Sequence, residues 1–262
     1  MAGIASDNLQ PFIARLASHS SLSGEDRQAL GRLPTRAVQV AAHRDFVRLG
    51  ERVDHCCFIL EGLAARFGQS SAGERQFSAF HIAGDMADLH SLVLPNPTSG
   101  IQALTTSTVL MVPHSALRAV AKASSGLAEA FWRECSIDAA ILSQWVVNVG
   151  RRDARTRMAH LLCEMAVRYG APGDRSCAYV LPVTQMHLAD ATALTAVHVN
   201  RTLKVLREDG LVTVTGKAVQ VHDLVGLKMV ADFDPSYLRA VPPSDLQSRA
   251  PARPMGALER VH

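Results

Sequence analysis

Apolar positions recur along this chain with a period that changes from segment to segment. Residues 1–32 carry a loose helical period. Within SLSGEDRQALGRL, Ser23 stands where a helix cap belongs, with acids in the turn that follows. Over residues 33–115 the apolar positions shorten into VQVAAHRDFVRLGERV, HCCFILEGLAARFG, QSSAGERQFSAFHIAGDM and IQALTTSTVLMVP. Short runs between turn signals predict the strands of a small jelly-roll-like β-roll, with Gly62, Gly73 and Gly84 at its turns and LPNPTSG as a loop.

Residues 116–150 form the next segment. From Leu127 to Val149 apolar side chains fall nearly all round a helix, which predicts burial on more than one side. One side can pack on the β-roll. The other calls for the same helix of a second subunit, making this a long dimerisation helix with Phe131, Ile141, Leu142 and Trp145 at the contact, or else for full burial in a monomer. NVGRRDART then breaks the pattern, with Gly150 as a hinge and Asp153 as a cap for a helix whose apolar residues run from Ala154 to Tyr169. YVLPV predicts a short strand, TQMHLADATALTAVHVNRTLKVLREDGLV two helices with a short break, and LVTVTGKAVQV a β-hairpin. Residues 151–232 therefore read as one unit. Residues 233–262, with four of the 12 prolines after Val241, predict a mobile tail. The fold class expected is α+β.

Composition narrows this only a little. Hydrophobic residues make up 48% and charged residues 19%, as in ordinary soluble proteins, and a net charge of +3 does not by itself call for nucleic acid. The distribution says more: no Lys or Arg lies between Gln76 and Leu117, whereas Arg151, Arg152, Arg155 and Arg157 crowd together, suggesting anion contact in the second half. No run of 18 apolar residues suggests a membrane partner, and the opening MAGIASDNLQPFIARLA has no basic-then-apolar leader pattern. Five cysteines without a Cys-x-x-Cys pair argue against a disulfide framework or a metal site and fit a reducing cytoplasm. No Ser/His/Asp set, glycine-rich phosphate loop or paired carboxylates support an enzyme.

Helix, strand, helix, turn, helix and hairpin is the order of a winged helix-turn-helix, whose second paired helix enters the DNA major groove. That reading gives the residues from Thr195 onward a purpose. Arg201 suits guanine and Asn200 adenine, each in a bidentate pair; Val197 suits a thymine methyl, and His198 can donate to a base or phosphate. Ala196 and Lys204 share the same helix. Thr184, Gln185 and Thr195 open helices, where hydroxyl, amide and backbone N–H groups can hold phosphates, and Lys217 tips the wing. The plainer readings are that Thr195 merely caps its helix, and that His198, Arg201 and Lys204 form a solvated face. Leu188, Ala189, Leu194, Val199, Leu203 and Leu206 make the inner face.

LPVTQMHLADATALTAVHVNRTLKVLREDGLV resembles the DNA-binding signature of the Crp-Fnr transcription regulators. FILEGLAARF and HIAGDM resemble that family's cyclic-nucleotide-binding-like β-roll, and GRRDARTRMAHLLCEMAVR the segment joining dimer helix to winged helix. The resemblance implies a homodimer on a palindromic promoter site of double-stranded DNA, with RNA polymerase as a further partner of an activator. It also implies Val197, Asn200 and Arg201 as base readers. Val197 stands where many members have Glu, and Ala193 where the turn commonly has Gly; Ala is tolerable there at negative φ and carries a modest cost otherwise.

The effector pocket of such a β-roll would draw on Gly84, Asp85, Asp88, Leu89, His90, Thr98 and Ser99. Members that bind cyclic AMP place a Gly-Glu and an Arg-Ser pair about the phosphate. Here those places hold Asp88-Leu89 and Thr98-Ser99, the cassette offers no cation, and Asp85 and Asp88 would repel the ligand. Cyclic AMP is therefore not expected. An iron–sulfur cluster lacks cysteines before Cys56; haem through His81 or His90 is an open alternative, and Cys56-Cys57 reads as either a redox-sensitive thiol or two small strand residues. No cofactor is identified. The competing classes are an enzyme or pure cyclic-nucleotide receptor, and a winged helix used for protein contacts.

Overall fold

The computed structural model describes residues 8–170 and 175–238. Two helices open it, α1 (Gln10–His19) and α2 (Gly24–Gly31), the second held by a capping box between Ser23 and Asp26. Seven strands follow: β1 (Arg36–Val40), β2 (Asp45–Val47), β3 (His55–Glu61), β4 (Leu63–Gln69), β5 (Arg75–Ile82), β6 (Gly100–Ala103) and β7 (Ser107–Pro113). They form two antiparallel sheets, ordered β1-β7-β3 and β2-β6-β4-β5. At the β3–β4 turn Gly62 has φ +96°, and a Cβ there would lie 2.2 Å from the Ser107 hydroxyl oxygen, so glycine is required on both counts. A 3-10 turn, Leu89–Leu92, lies between β5 and β6.

Helix α3 (His114–Ala123) leads into the long α4 (Ser125–Arg151). Leu127, Phe131, Ile137, Ile141 and Trp145 point inward from α4 and are buried within this one chain. Phe131 joins a core with α1, and Ile137, Ile141 and Trp145 join one that includes β4 and β5. Three of the four residues expected at a subunit contact, Phe131, Ile141 and Trp145, are thus core residues of the protomer. Only Leu142, 38% exposed, faces outward. The correction has a simple cause: α4 carries two apolar faces, and the bulkier one packs on the β-roll.

Gly150 lies inside α4, so the chain bends not there but at the extended Arg152 (φ −90°, ψ 148°), ahead of α5 (Ala154–Arg168), which Asp153 caps through the Thr156 amide. Then come β8 (Cys177–Val180), α6 (Gln185–Thr192), α7 (Ala196–Glu208), the hairpin β9 (Val212–Thr215) and β10 (Ala218–Val221), and α8 (Leu224–Ala231). The sheet runs β8-β10-β9, and Gly216 turns the hairpin at φ +59°.

This unit does not hang from a free linker. Its core is continuous with Phe77 and Phe80 of β5 and with Trp145. The Gln76 amide donates to the Asp190 carbonyl, and the His187 ring lies 5.3 Å from His43 and 6.0 Å from Phe77. Residues 233–238 depart from the mobile tail expected of them. Tyr237 donates to the Glu164 carboxylate at 2.8 Å, which also accepts from the Trp145 indole, and Phe233 and Tyr237 flank His160. Burial of aromatic area back onto the α4–α5 corner offsets the entropy of ordering this segment. The remainder of the expected tail, from Arg239, lies outside the described residues.

Candidate nucleic-acid interface

Helices α6 and α7 meet at a turn whose central residue, Ala193, has φ +52°. This is the costlier of the two cases for alanine, about 1 kcal/mol against glycine. The Leu194 and Ala193 amides donate back to the Ala189 carbonyl, and Arg157 reaches across from α5 to the carbonyls of Thr192 and Ala193, at 3.0 and 3.4 Å. Leu188, Ala189, Val199 and Leu206 are buried between the helices, with Leu194 and Leu203 partly so, and Thr202 joins them. Their packing fixes which face of α7 remains in water.

That face carries Val197, His198, Asn200, Arg201 and Lys204, all exposed, with Ala196 half-buried beside them. Val197 is 60% exposed, a large apolar side chain turned to solvent. Thr195 caps α7 by accepting from the His198 amide at 3.2 Å, and Thr184 caps α6 by accepting from the His187 amide at 3.1 Å. Both hydroxyls keep their own hydrogen to donate. The plain capping role and a phosphate contact are therefore compatible. Lys217 stands exposed at the wing.

Two features here were not visible in the sequence. Gln185 and Asn200 form a reciprocal amide pair: the Gln185 amide donates to the Asn200 carbonyl oxygen at 2.6 Å, and the Asn200 amide donates to that of Gln185 at 2.8 Å. This sets the Asn200 amide plane before any base arrives. The arginine cluster, expected to contact anions, is mostly engaged inside the fold. Arg155 pairs with Asp209, Arg157 holds the α6–α7 turn, and Arg152 contacts Asp232; Arg151 remains exposed at the end of α4.

The β-roll cassette differs from its expectation too. It receives cations from three distant elements. Arg15 of α1 and Arg168 of α5 pair with Asp85, and Arg66 of β4 pairs with Asp138 of α4 at 2.7 Å while donating to the Ala87 carbonyl. Burial alone would raise the Asp85 carboxyl, but Arg168 and then Arg15 outweigh it and hold the group well below the usual range. Asp85 is thus a neutralised anchor and not a source of repulsion. Asp88 is buried, accepts from the Cys57 amide at 2.6 Å, and is pushed up to about 6 by that burial. Asp85, Leu89 and His90 border a shared void of only about 20 Å³, room for a water. Gly84 lies at a turn near Pro11, Thr98 is exposed and Ser99 half-buried in the loop before β6. Cys56 and Cys57 are buried in β3, and burial pushes both thiols upward, away from thiolate chemistry.

Residues 37–124 match the family model of the cyclic nucleotide-binding domain, and residues 156–230 that of the Crp-like helix-turn-helix domain. An anaerobic regulatory protein of Haemophilus influenzae is 23% identical over 215 residues, 82% of this chain and 84% of that protein. The transcriptional activator protein FnrA of Stutzerimonas stutzeri is 23% identical over 211 residues, 80% of this chain and 86% of its own length. The solved structure of FixK2 from Bradyrhizobium japonicum superposes with a TM-score of 0.66 at 20% identity, covering 76% of this chain and 98% of that one. With both domain types matched in that order, on either side of the helix that joins them, the chain belongs to the Crp-Fnr family and is a transcription regulator with a helix-turn-helix DNA-binding domain.

Proposed function

We propose that the protein works as a homodimer on an inverted-repeat promoter site and does so without cyclic AMP. The observation that carries the dimer is the outward face of α4. Ala128, Trp132, Cys135, Ala139, Leu142, Val146 and Val149 follow one another at alternating steps of four and three residues, and all are exposed or half-buried. That is the seam of a two-stranded coiled coil. Trp132 at 73% and Val146 at 62% exposure form an apolar stripe that water disfavours. A two-fold along α4 presents two copies of α7, and two recognition helices require half-sites about one helical turn apart, about 10–10.5 bp. Selection from random duplexes tests this. An inverted repeat is the expected product, and recovery of single half-sites overturns the symmetric mode.

Arg201 and Asn200 supply the sequence reading, Val197 a methyl contact, and Thr184, Gln185, Thr195, His198, Lys204 and Lys217 the backbone hold. Arg201→Ala is expected to lower affinity for the selected duplex by about 1–3 kcal/mol per half-site, with little effect on scrambled DNA. Fluorescence anisotropy on both duplexes decides it, since equal loss on both marks Arg201 as a phosphate contact. The absence of a cyclic-nucleotide requirement is supported by the cassette: its cations already have carboxylate partners, and the remaining void is far below the roughly 300–1,000 Å³ of small-molecule sites. Apo protein binding its promoter fully, unchanged by added cyclic AMP, is the expected result.

A further inference from the structure

A second concavity opens just beyond the closed cassette, on the far side of Leu89. It has a volume of about 340 Å³ and lies between the 3-10 turn, α3 and the first turns of α4. Its floor is apolar, with Leu92 and Phe131 buried in the protein, and its rim carries Val93, 76% exposed, and Trp132. The 3-10 turn contributes one polar group, the His90 ring, and the cations come from α3. Arg118 and Lys122, one turn apart on α3, both line it. The Arg118 Nε and Nη2 hold the Leu92 carbonyl, which fixes the guanidinium and leaves Nη1 without a partner among the described residues. Neither Arg118 nor Lys122 forms an ion pair among the described residues, although Arg66 and Arg133 nearby do.

Among the described residues no Asp or Glu lines the concavity. The nearest acids along α4 are already taken: Glu129 by Arg133, Glu134 by Arg15 and His19, and Asp138 by Arg66. Cys135, on the same wall, is pushed up to about 11 by burial, so it stays a neutral thiol and adds no negative charge. The result is an apolar trough of ligand size with two uncompensated cations at one edge. Water solvates such a surface poorly and a neutral apolar molecule leaves the cations unused. An apolar chain ending in one anionic group satisfies both.

We propose that this groove is a binding site for an amphipathic monoanion, an aliphatic or aryl carboxylate whose tail lies on Leu92 and Phe131 and whose carboxylate meets Lys122 and the free Arg118 Nη1. The site shares Leu89, His90 and Cys135 as a wall with the cassette void behind it, and it does not depend on how α7 reads DNA. Ala128, Trp132 and Cys135 belong both to its wall and to the stripe assigned above to the subunit contact, so an occupant would meet a second subunit at that edge.

Calorimetric titration of the full chain with decanoate, below its micellar range, tests the site. Saturable binding is expected. Octanoate, shorter by two methylenes, should bind about tenfold more weakly. Decanol, which keeps the tail and lacks the charge, should lose about fivefold or more. Lys122→Glu reverses one cation and Val93→Glu places an acid on the rim. Both positions are exposed, so circular dichroism and thermal melting should be unchanged while decanoate binding weakens by a similar factor or vanishes. The proposal is overturned by an absence of saturable heat, by equal affinity for decanol, or by unchanged affinity in both variants. Sedimentation of Val93→Glu adds one more outcome. If it releases monomer from a wild-type dimer, a second subunit fills the groove and the carboxylate site does not exist.

Discussion

Leu142→Glu is expected to give a folded monomer, whereas Ile141→Glu, one residue earlier on the same helix, is expected to give no folded protein. Ile141 is 4% exposed and packed in the core shared by β4, β5 and the helix-turn-helix unit. The guanidiniums that border the same small void, Arg15 and Arg168, are already paired with Asp85, and a buried charge without a partner of its own costs several kcal/mol. Against a total stability of about 5–15 kcal/mol, that loss and the missing apolar contacts are enough to unfold a domain. Leu142 lies on the outer seam, where a glutamate in an isolated protomer is simply hydrated. In a dimer the same substitution places two like charges near the two-fold, each stripped of water. The consequence for DNA is larger than for folding, because a monomer loses the gain from linking two half-site contacts, about 10²- to 10⁴-fold. Sedimentation, circular dichroism and anisotropy on the selected inverted repeat separate the outcomes. A folded, dimeric Leu142→Glu protein moves the subunit contact off α4, and a folded Ile141→Glu protein undoes the docking of α4 on the β-roll.

The difference between those neighbours shows where the sequence speaks and where it is silent. Both faces of α4 are apolar, so periodicity predicts burial on two sides without saying which side is the protomer's own. A finer signal was present. Both sets follow a seven-residue spacing, Leu127, Glu134, Ile141 and Asn148 inward and Ala128, Cys135, Leu142 and Val149 outward, but only the inward set carries a charged and an amide side chain, at Glu134 and Asn148. The inward glutamate was legible only with the fold in hand, because its partners Arg15 and His19 come from α1.

The helix-turn-helix face was readable because it is local. Caps, apolar spacing and the hairpin all lie within forty or so residues, and short-range rules fix which side of α7 meets solvent. What escaped is what pairs across elements. Gln185 and Asn200 are fifteen residues apart and belong to different helices. Arg157 looks like a cation for DNA in a cluster of arginines, yet the left-handed Ala193 turn claims it. The cassette misled for the same reason. Its own sequence lacks cations, but α1, β4 and α5 deliver three guanidiniums to its edge.

Asp85→Asn is expected to remove about 3–5 kcal/mol of stability near neutral pH, the usual cost of breaking one side of a buried ion pair. One Asp85 oxygen accepts from Arg15 at 3.0 Å, and the other accepts from Arg168 and from the Ile82 amide. An asparagine keeps the shape and one acceptor but leaves two largely buried cations with less compensation. The lower end of the range applies, since Arg15 retains Glu134 and Arg168 retains the Phe80 carbonyl. The pH dependence supplies a check that a mere packing defect would not show. The folded carboxyl is held below its usual value, while in the unfolded chain it titrates near about 3.9. Its contribution is therefore fully present above about pH 4 and is lost as pH falls through that value toward the folded one. Urea unfolding at neutral pH should show the full gap between wild type and variant, and the gap should narrow near pH 3, where the wild type has begun to lose what the variant never had. An equal gap at both pH values would assign the loss to shape and not to charge. Because Arg15 belongs to α1, Arg168 to α5 and Glu134 to α4, the same substitution should also weaken promoter binding under conditions where the chain remains folded, since those contacts hold the DNA-binding unit against the β-roll.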